Sequence, residues 1–299
     1  MTIVDPHWPR ADVWLAQESD EPELVVVGVP SSTASLTASH ADLTPFELRN
    51  RLSRFSTFHG EMDVDFSALR VRDDGNWPVS TLDMYQMPAY VRERAASLDP
   101  VPLTIFLGGD NAITRPLVAA MGTPLHRVGV ITFDAHHDVR TLELGPANGT
   151  PIRGLIEEEG LPGANVVQIG IHSFANSASY RSYCHEQGIA VHTIRDVEQR
   201  GIDTVVGTAL ESLASRCDQI YVDVDIDVLD RAVAPACPGA RPGGMTVRQL
   251  ARGVEMCARH GDVRAMDLVE VDAATDQNGQ TLDVMAHMLL TAAAGLSLR

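Results

Sequence analysis

Seven apolar segments of strand length recur along the chain, at 23–30, 102–109, 127–134, 165–171, 189–194, 219–227 and 263–271, with helical patterns between them. This alternation constrains the fold more than any other feature. Parallel neighbours need a crossover long enough for a helix, and the helices then cover both faces of the sheet. ELVVVGVP, PLTIFLGG and RVGVITFD are apolar runs without polar alternation, as expected of strands buried on both sides. The chain of 299 residues shows no internal repeat, low-complexity tract or dividing linker, so a single domain over 1–299 is expected. Thr44, Pro45 and Glu47 predict a helix start with a capping box, and 284–295 predicts a packing helix too short to anchor in a membrane.

Charge and composition narrow the function. Forty acidic against 23 basic residues give a net charge of −17, which repels nucleic-acid backbones and anionic membrane surfaces. Every basic side chain is arginine, with no lysine. That excludes a Walker A phosphate loop, pyridoxal phosphate chemistry and Schiff-base catalysis, all of which need an amine. Cys184, Cys217, Cys237 and Cys257 form no C-x-x-C pair, so reduced cysteines are expected. The opening MTIVDPHWPRADVW has acids and prolines where a signal peptide needs a basic start and an apolar core, and no run of 18 apolar residues occurs. A cytoplasmic location, with no nucleic-acid and no membrane partner, is the expectation.

In open α/β sheets ligands bind beyond the carboxyl ends of the strands, so polar clusters there are candidate chemistry. The segments ending in G108-G-D-N111, D134-A-H-H-D138 and D223-V-D-I-D-V-L-D230 qualify, and MDLVEV adds Asp267 and Glu270. In an extended chain residues i and i+2 share a face, which predicts convergence of Asp134, His136 and Asp138, and of Asp225 and Asp227. Like charges brought together need a cation, or one must stay protonated. A set of aspartates with one or two imidazoles suits Mn²⁺ or Mg²⁺ better than a thiolate-preferring metal. Enough carboxylates are present for two ions about 3.5–4 Å apart.

Taken together, GGDN, DAHHD, the DVDIDVLD…AP…GG stretch at 223–244 and DLVEV resemble the signature segments of the ureohydrolase family, which includes arginase, agmatinase and formimidoylglutamase. The resemblance runs from about residue 24 to 295 and implies a three-layer α/β/α domain, a homo-oligomer and two Mn²⁺ per chain. It implies that Asp134 and Asp225 bridge both metals, that Asn111 and Asp138 complete one site, and that His136 and Asp227 complete the other. Glu270 matches the acid that pairs with the substrate's amidinium or guanidinium. Two positions depart from the guanidine-hydrolysing members: Asn111 and Asn148 stand where arginase and agmatinase have histidines. An amide oxygen is a poorer donor than imidazole, so a readily lost metal at Asn111 is expected.

Within the family, D134AHHDVR140, N148GTPIR153 and IGIHSFANSASY (169–180) are most similar to formimidoylglutamase of histidine degradation. That implies hydrolysis of the amidine C–N bond of N-formimidoyl-L-glutamate, by attack of a metal-bridging hydroxide, to L-glutamate and formamide. Asp138 would relay the proton to the leaving amine. Two substrate carboxylates call for arginine forks, with Arg140, Arg153 and Arg241 as candidates and Asn148 and His172 as further substrate contacts. His137 should point to the opposite face from the ligands. Two other readings stay open: an agmatinase or guanidino-acid hydrolase, and a metal-poor relative that binds small molecules without catalysis.

Overall fold

The computed structural model describes Asp5 and residues 7–299, and all seven apolar segments form strands. In chain order the strands are β1 (Leu24–Val29), β2 (Phe58–His59), β3 (Val64–Asp65), β4 (Val71–Asn76), β5 (Leu103–Gly108), β6 (Val128–Phe133), β7 (Val166–Ile171), β8 (Ala190–Thr193), β9 (Gln219–Asp225) and β10 (Val263–Val269). Eight form one sheet in the order β4-β1-β5-β10-β9-β6-β7-β8, in which every neighbouring pair is parallel. β2 and β3 make a separate antiparallel hairpin.

Alternate residues of each strand feed two cores. Leu24, Val26, Ile105, Leu107, Ile131, Phe133, Val222 and Val224 join helices Thr44–Arg51, Ile202–Ala214, Val247–Arg259 and Gln280–Leu296 on one face. Val25, Val27, Phe106, Val128, Val130 and Tyr221 join helices Met87–Ala96, Thr114–Ala119, Pro151–Glu157 and Ala178–Glu186 on the other. The result is the expected three-layer α/β/α arrangement. Each large apolar side chain moved from water into these layers contributes about 1.5–3 kcal/mol, so the strands of the middle layer are held firmly and the loops beyond them have a rigid base.

One strand lies outside the seven apolar segments, and one local expectation needs correction. β4, with the sequence VRDDGN, has no apolar run because it is an edge strand in which only Val71 is buried. Its neighbour across the edge is Arg49, which forks onto Asp73 at 2.7 Å through both Nε and Nη2. Thr44 does not cap its helix: a 3₁₀ turn at Ala41–Leu43 runs straight into Thr44–Arg51, so the helix start needs no side-chain acceptor there. The Thr44 hydroxyl instead donates to Val271 O at 2.6 Å, tying the helix to the loop after β10. Helix Gln280–Leu296 is the expected packing helix, and among the described residues no helix is long and apolar enough to cross a membrane.

Candidate metal centre and cleft

The sheet order sets β5, β10, β9 and β6 side by side, and their carboxyl ends carry Asn111, Glu270, Asp225 and Asp134. Convergence does not come from strand alternation. β6 ends at Phe133 and β9 at Asp225, so Asp134–Asp138 leaves the pleat and Ile226–Val228 turns as a 3₁₀ helix. Asp138 and Glu270 adopt left-handed backbone angles, φ 52° and 69°. Each such residue costs about 1–3 kcal/mol, a strain that persists only where the surroundings impose it. Here Asp138 O accepts from the N–H groups of Ile152 and Arg153 at 3.1 and 3.3 Å, while Glu270 N–H donates to Gly109 O at 2.9 Å.

One oxygen each of Asp134 and Asp227 and a ring nitrogen of His136 lie within 4.8 Å of one another. His136 Nδ1 is 2.9 Å from Asp227 Oδ2 and 3.5 Å from Asp134 Oδ1. Asp227 Oδ1 accepts from Ala135 N–H at 3.1 Å, and Asp225 Oδ1 accepts from Asp227 N–H at 2.8 Å. Gly239 closes over this group, with no room for a Cβ against Asp227 Oδ2 and 3.1 Å from His136 Cε1. Asp134, Asp138, Asp225, Asp227 and Glu270 are all buried.

Burial dominates the proton affinities. Burial and then the Asp227 charge push Asp134 up to about 6. Burial and the Asp134 charge hold Asp138 well above the usual carboxylate range, and burial and the Asp227 charge do the same to Asp225. Burial and then the Asp110 charge raise Glu270 to about 7. Burial would also raise Asp227, but the His136 contact overrides it and holds that carboxyl down to about 2. The same pairing, with Asp227 and Asp134, overcomes burial of His136 and lifts its imidazole to about 12. A cluster this acidic, with one imidazole among its members, must take up either protons or cations to stay buried. Carboxylate oxygens and an imidazole fit a hard divalent ion, so the residues present suit a metal cofactor.

The side facing β5 and β10 is built from amides. Asn111 Nδ2 lies 2.7 Å from Asp138 Oδ2, and Asn111 Oδ1 lies 2.6 Å from Thr114 Oγ1. Thr114 Oγ1 also lies 2.6 Å from Asp267 Oδ2, which accepts from Tyr221 Oη at 2.8 Å. A hydroxyl has one proton and cannot donate to both oxygens. Turning the Asn111 amide over resolves the conflict, since its NH₂ then donates to Thr114 Oγ1 and its oxygen faces Asp138 Oδ2. Two oxygens at that separation require a cation or a proton between them. In that orientation the amide oxygen of Asn111 becomes available to a metal.

Above the cluster a cleft of about 110 Å³ is lined by His136, Asp138, Arg140, Asn148, Asp225, Asp227, Arg241 and Glu270, with Leu36, Thr37 and Gly239 at its walls. Gly149 lets Arg140 pass: a Cβ there would meet Arg140 Cδ at 2.6 Å. Arg241 Nη1 donates to Gly239 O at 2.8 Å. Among the described residues neither arginine has a carboxylate partner. Three expectations change. Arg153 lies outside the cleft, with Nε on Val139 O at 2.8 Å and its guanidinium 4.0 Å over the Tyr183 ring. His172 is buried and spends Nε2 on Val228 O at 2.9 Å, so it is not a cleft residue. Asn148 does line the cleft, but its amide is engaged by Glu270 and Leu36. His137 is packed as expected, with Nδ1 2.6 Å from Gln168 Oε1.

Sequence reasoning passed over Thr114 and Tyr221, and it gave no role to Asp223 and Asp267, which it had singled out at the strand ends and which are buried beside them. Asp223 belongs to the period-two acids of β9, whereas Thr114 and Tyr221 carry no such signal.

The Arginase family model matches residues 22–295. A formimidoylglutamase of Halalkalibacterium halodurans is 40% identical over 269 residues, covering 89% of this chain and 84% of that protein. The crystal structure of formimidoylglutamase from Bacillus subtilis superposes with a TM-score of 0.93 at 30% identity, covering 100% of this chain and 95% of that one. A Trypanosoma cruzi formiminoglutamase solved with Mn²⁺ shares the fold, with a TM-score of 0.87 at 22% identity over 98% of this chain and 99% of that one. With the parallel sheet, the acid cluster at its carboxyl edge and these matches in agreement, the chain belongs to the arginase family.

Proposed function

We propose that the protein hydrolyses N-formimidoyl-L-glutamate to L-glutamate and formamide, using two Mn²⁺ ions. The observation that carries this is the polarity of the cleft: buried acids at its base and, at its mouth, two arginines free of carboxylate partners among the described residues. Such a cleft takes a cationic amidine inward and carboxylates outward. Agmatine, cationic at both ends, would set its amine against Arg140 and Arg241. A guanidino acid has the right polarity with one carboxylate fewer, and it is the second reading.

Asp134, His136, Asp138, Asp225 and Asp227, with Asn111 through its amide oxygen, would hold the ions. Bound there, manganese supplies a water acidic enough to act as a nucleophile near neutral pH. Glu270 holds Oε1 to Asn111 N–H and Asn148 Nδ2, which leaves Oε2 for the amidinium. Arg140 and Arg241 take the glutamate carboxylates and set the depth of the substrate, so the amidine carbon sits over the acid cluster. Asp138, which would give one carboxylate oxygen to the ion beside Asn111, keeps the other to accept a proton of the attacking water and return it to the departing nitrogen. The C–N bond to glutamate breaks, the water oxygen ends in formamide, and both water protons end on the glutamate amine, which leaves as the ammonium.

Incubation with formimidoylglutamate, agmatine and guanidino acids in Mn²⁺ tests the reading. Formamide without urea is expected; urea from a guanidino acid and no formamide would replace the first reading with the second. Less than one manganese per chain after supplemented preparation, with no turnover, would leave a binding protein. A cytoplasmic setting is part of this reading, and the four free cysteines suit a reducing compartment. The homo-oligomer implied by the family is checked by light scattering.

A further inference from the structure

Asn148 sits at the crossing of three segments. Its Nδ2 donates to Glu270 Oε1 at 2.9 Å, its Oδ1 accepts from Leu36 N–H at 3.0 Å, and its own N–H donates to Ala34 O at 3.0 Å. The segment it grips, 31–37, follows β1 and brings Leu36 and Thr37 to the cleft wall. That segment is tied at its other side to buried Asp110, whose carboxylate accepts from Ser31 Oγ, Ala34 N–H and Ser35 Oγ, each at 3.1 Å. The residue after Asp110 supplies the second donor to Glu270 Oε1, Asn111 N–H at 2.8 Å. Both donors therefore hold the same oxygen of Glu270.

We propose that Asn148 is a positioning residue that couples the cleft rim to the orientation of Glu270. The inference deepens the reading above, in which Glu270 meets the substrate cation. A glutamate carboxylate rotates through a broad, two-fold torsion, so one donor leaves it loosely aimed. The Asn148 amide is the second donor, and it stays in place because its oxygen holds Leu36 N–H. When the rim segment moves outward the amide loses that anchor, and Glu270 loses its aim. Contact between substrate and the Leu36–Thr37 wall thus reports directly to the acid that binds the cation, and a misaimed group at this distance changes rates by about 10²-fold.

Hydrogen exchange of the 31–37 peptide, with steady-state kinetics, tests this on the manganese-loaded protein. N148A should speed exchange at 31–37 at least tenfold and lower kcat about 10²-fold, with manganese content unchanged. N148D keeps the acceptor for Leu36 N–H and loses the donor to Glu270, so exchange should stay near the wild-type rate while kcat falls as in N148A. E270A removes the other anchor of the amide and should raise exchange at 31–37, a readout that involves no turnover. Wild-type exchange in both N148A and E270A overturns the coupling. A wild-type protein inactive on formimidoylglutamate overturns the substrate reading, and the exchange measurements still decide the coupling.

Discussion

The two sides of the buried cluster are built from different chemistry. At the ends of β6 and β9 stand Asp134, His136, Asp225 and Asp227, ionisable groups in mutual contact. At the ends of β5 and β10, Glu270 is surrounded by amides: Asn111 N–H, Asn148 Nδ2 and, behind them, the Leu36 N–H. The first side cannot remain buried and charged without cations, whereas on the second Glu270 meets neutral donors. The difference separates two tasks. On the proposed function the charge density would hold metal, and the neutral donors on Glu270 would aim its carboxylate.

Substitutions on the charged side should be the most severe. Asp134→Ala or Asp225→Ala should abolish manganese binding and lower turnover by roughly 10⁴-fold, since in the proposed centre each side chain would serve both ions. Elemental analysis and activity on the same sample check this, and a fully loaded, active variant would dissolve the distinction between the sides. Glu270→Gln should keep its metal and lose about 10²-fold in kcat/KM, because shape survives while the charge opposite the amidinium does not. Metal loss in that variant would move Glu270 to the charged side.

Removing the metal sharpens the comparison through pH. Folded-state values raised to about 6 for Asp134 and about 7 for Glu270 exceed the ordinary carboxyl values of 3.8 and 4.5. A raised carboxyl contributes stability below its unfolded value and loses it as pH climbs through the folded value. The metal-free protein should therefore lose thermal stability between about pH 4 and 7, and the gain in Tm on adding Mn²⁺ should grow over the same interval. Calorimetry at several pH values, with and without metal, gives the test; a gain independent of pH would contradict it.

A smaller effect is expected at the boundary between the sides. Asn111→His replaces an amide with a better donor and should slow metal loss to a chelator by about tenfold, or about 1.4 kcal/mol. Because imidazole must be neutral to bind, retention in the variant should weaken as pH falls through about 6.5, which wild type does not share at that position. Unchanged chelation kinetics would show that Asn111 serves Asp138 alone. Smallest of all is Arg153→Ala. With its guanidinium over Tyr183 and Nε on Val139 O, this residue should cost about 1 kcal/mol of stability and leave KM within about twofold. A large rise in KM would return Arg153 to substrate binding.

Most of the charged side was legible in the sequence. Asp134, His136, Asp225 and Asp227 could be read because each follows an apolar run that only a buried strand explains, and polar groups there have no structural use. The route to convergence was not legible. Alternation predicts a shared face, but the strands end before His136 and Asp227, and a left-handed Asp138 completes the turn. Arg140, Arg153 and Arg241 look equivalent in sequence, and only the fold sends two to the cleft and one onto Tyr183.

By itself the sequence determined the layers of this protein, the strand ends that carry its acids, and the absence of lysine chemistry. These depend on local periodicity and residue type, which short stretches of chain contain in full. Only the tertiary structure decided that β10 lies between β5 and β9, and therefore that Glu270 meets Asn111 across 159 residues of chain and Asn148 across 122. Strand order is settled by how crossover helices pack over the whole sheet, a balance of many buried contacts that no single segment records. The orientation of one carboxylate, on which the proposed chemistry depends, is set at the meeting point of those distant segments.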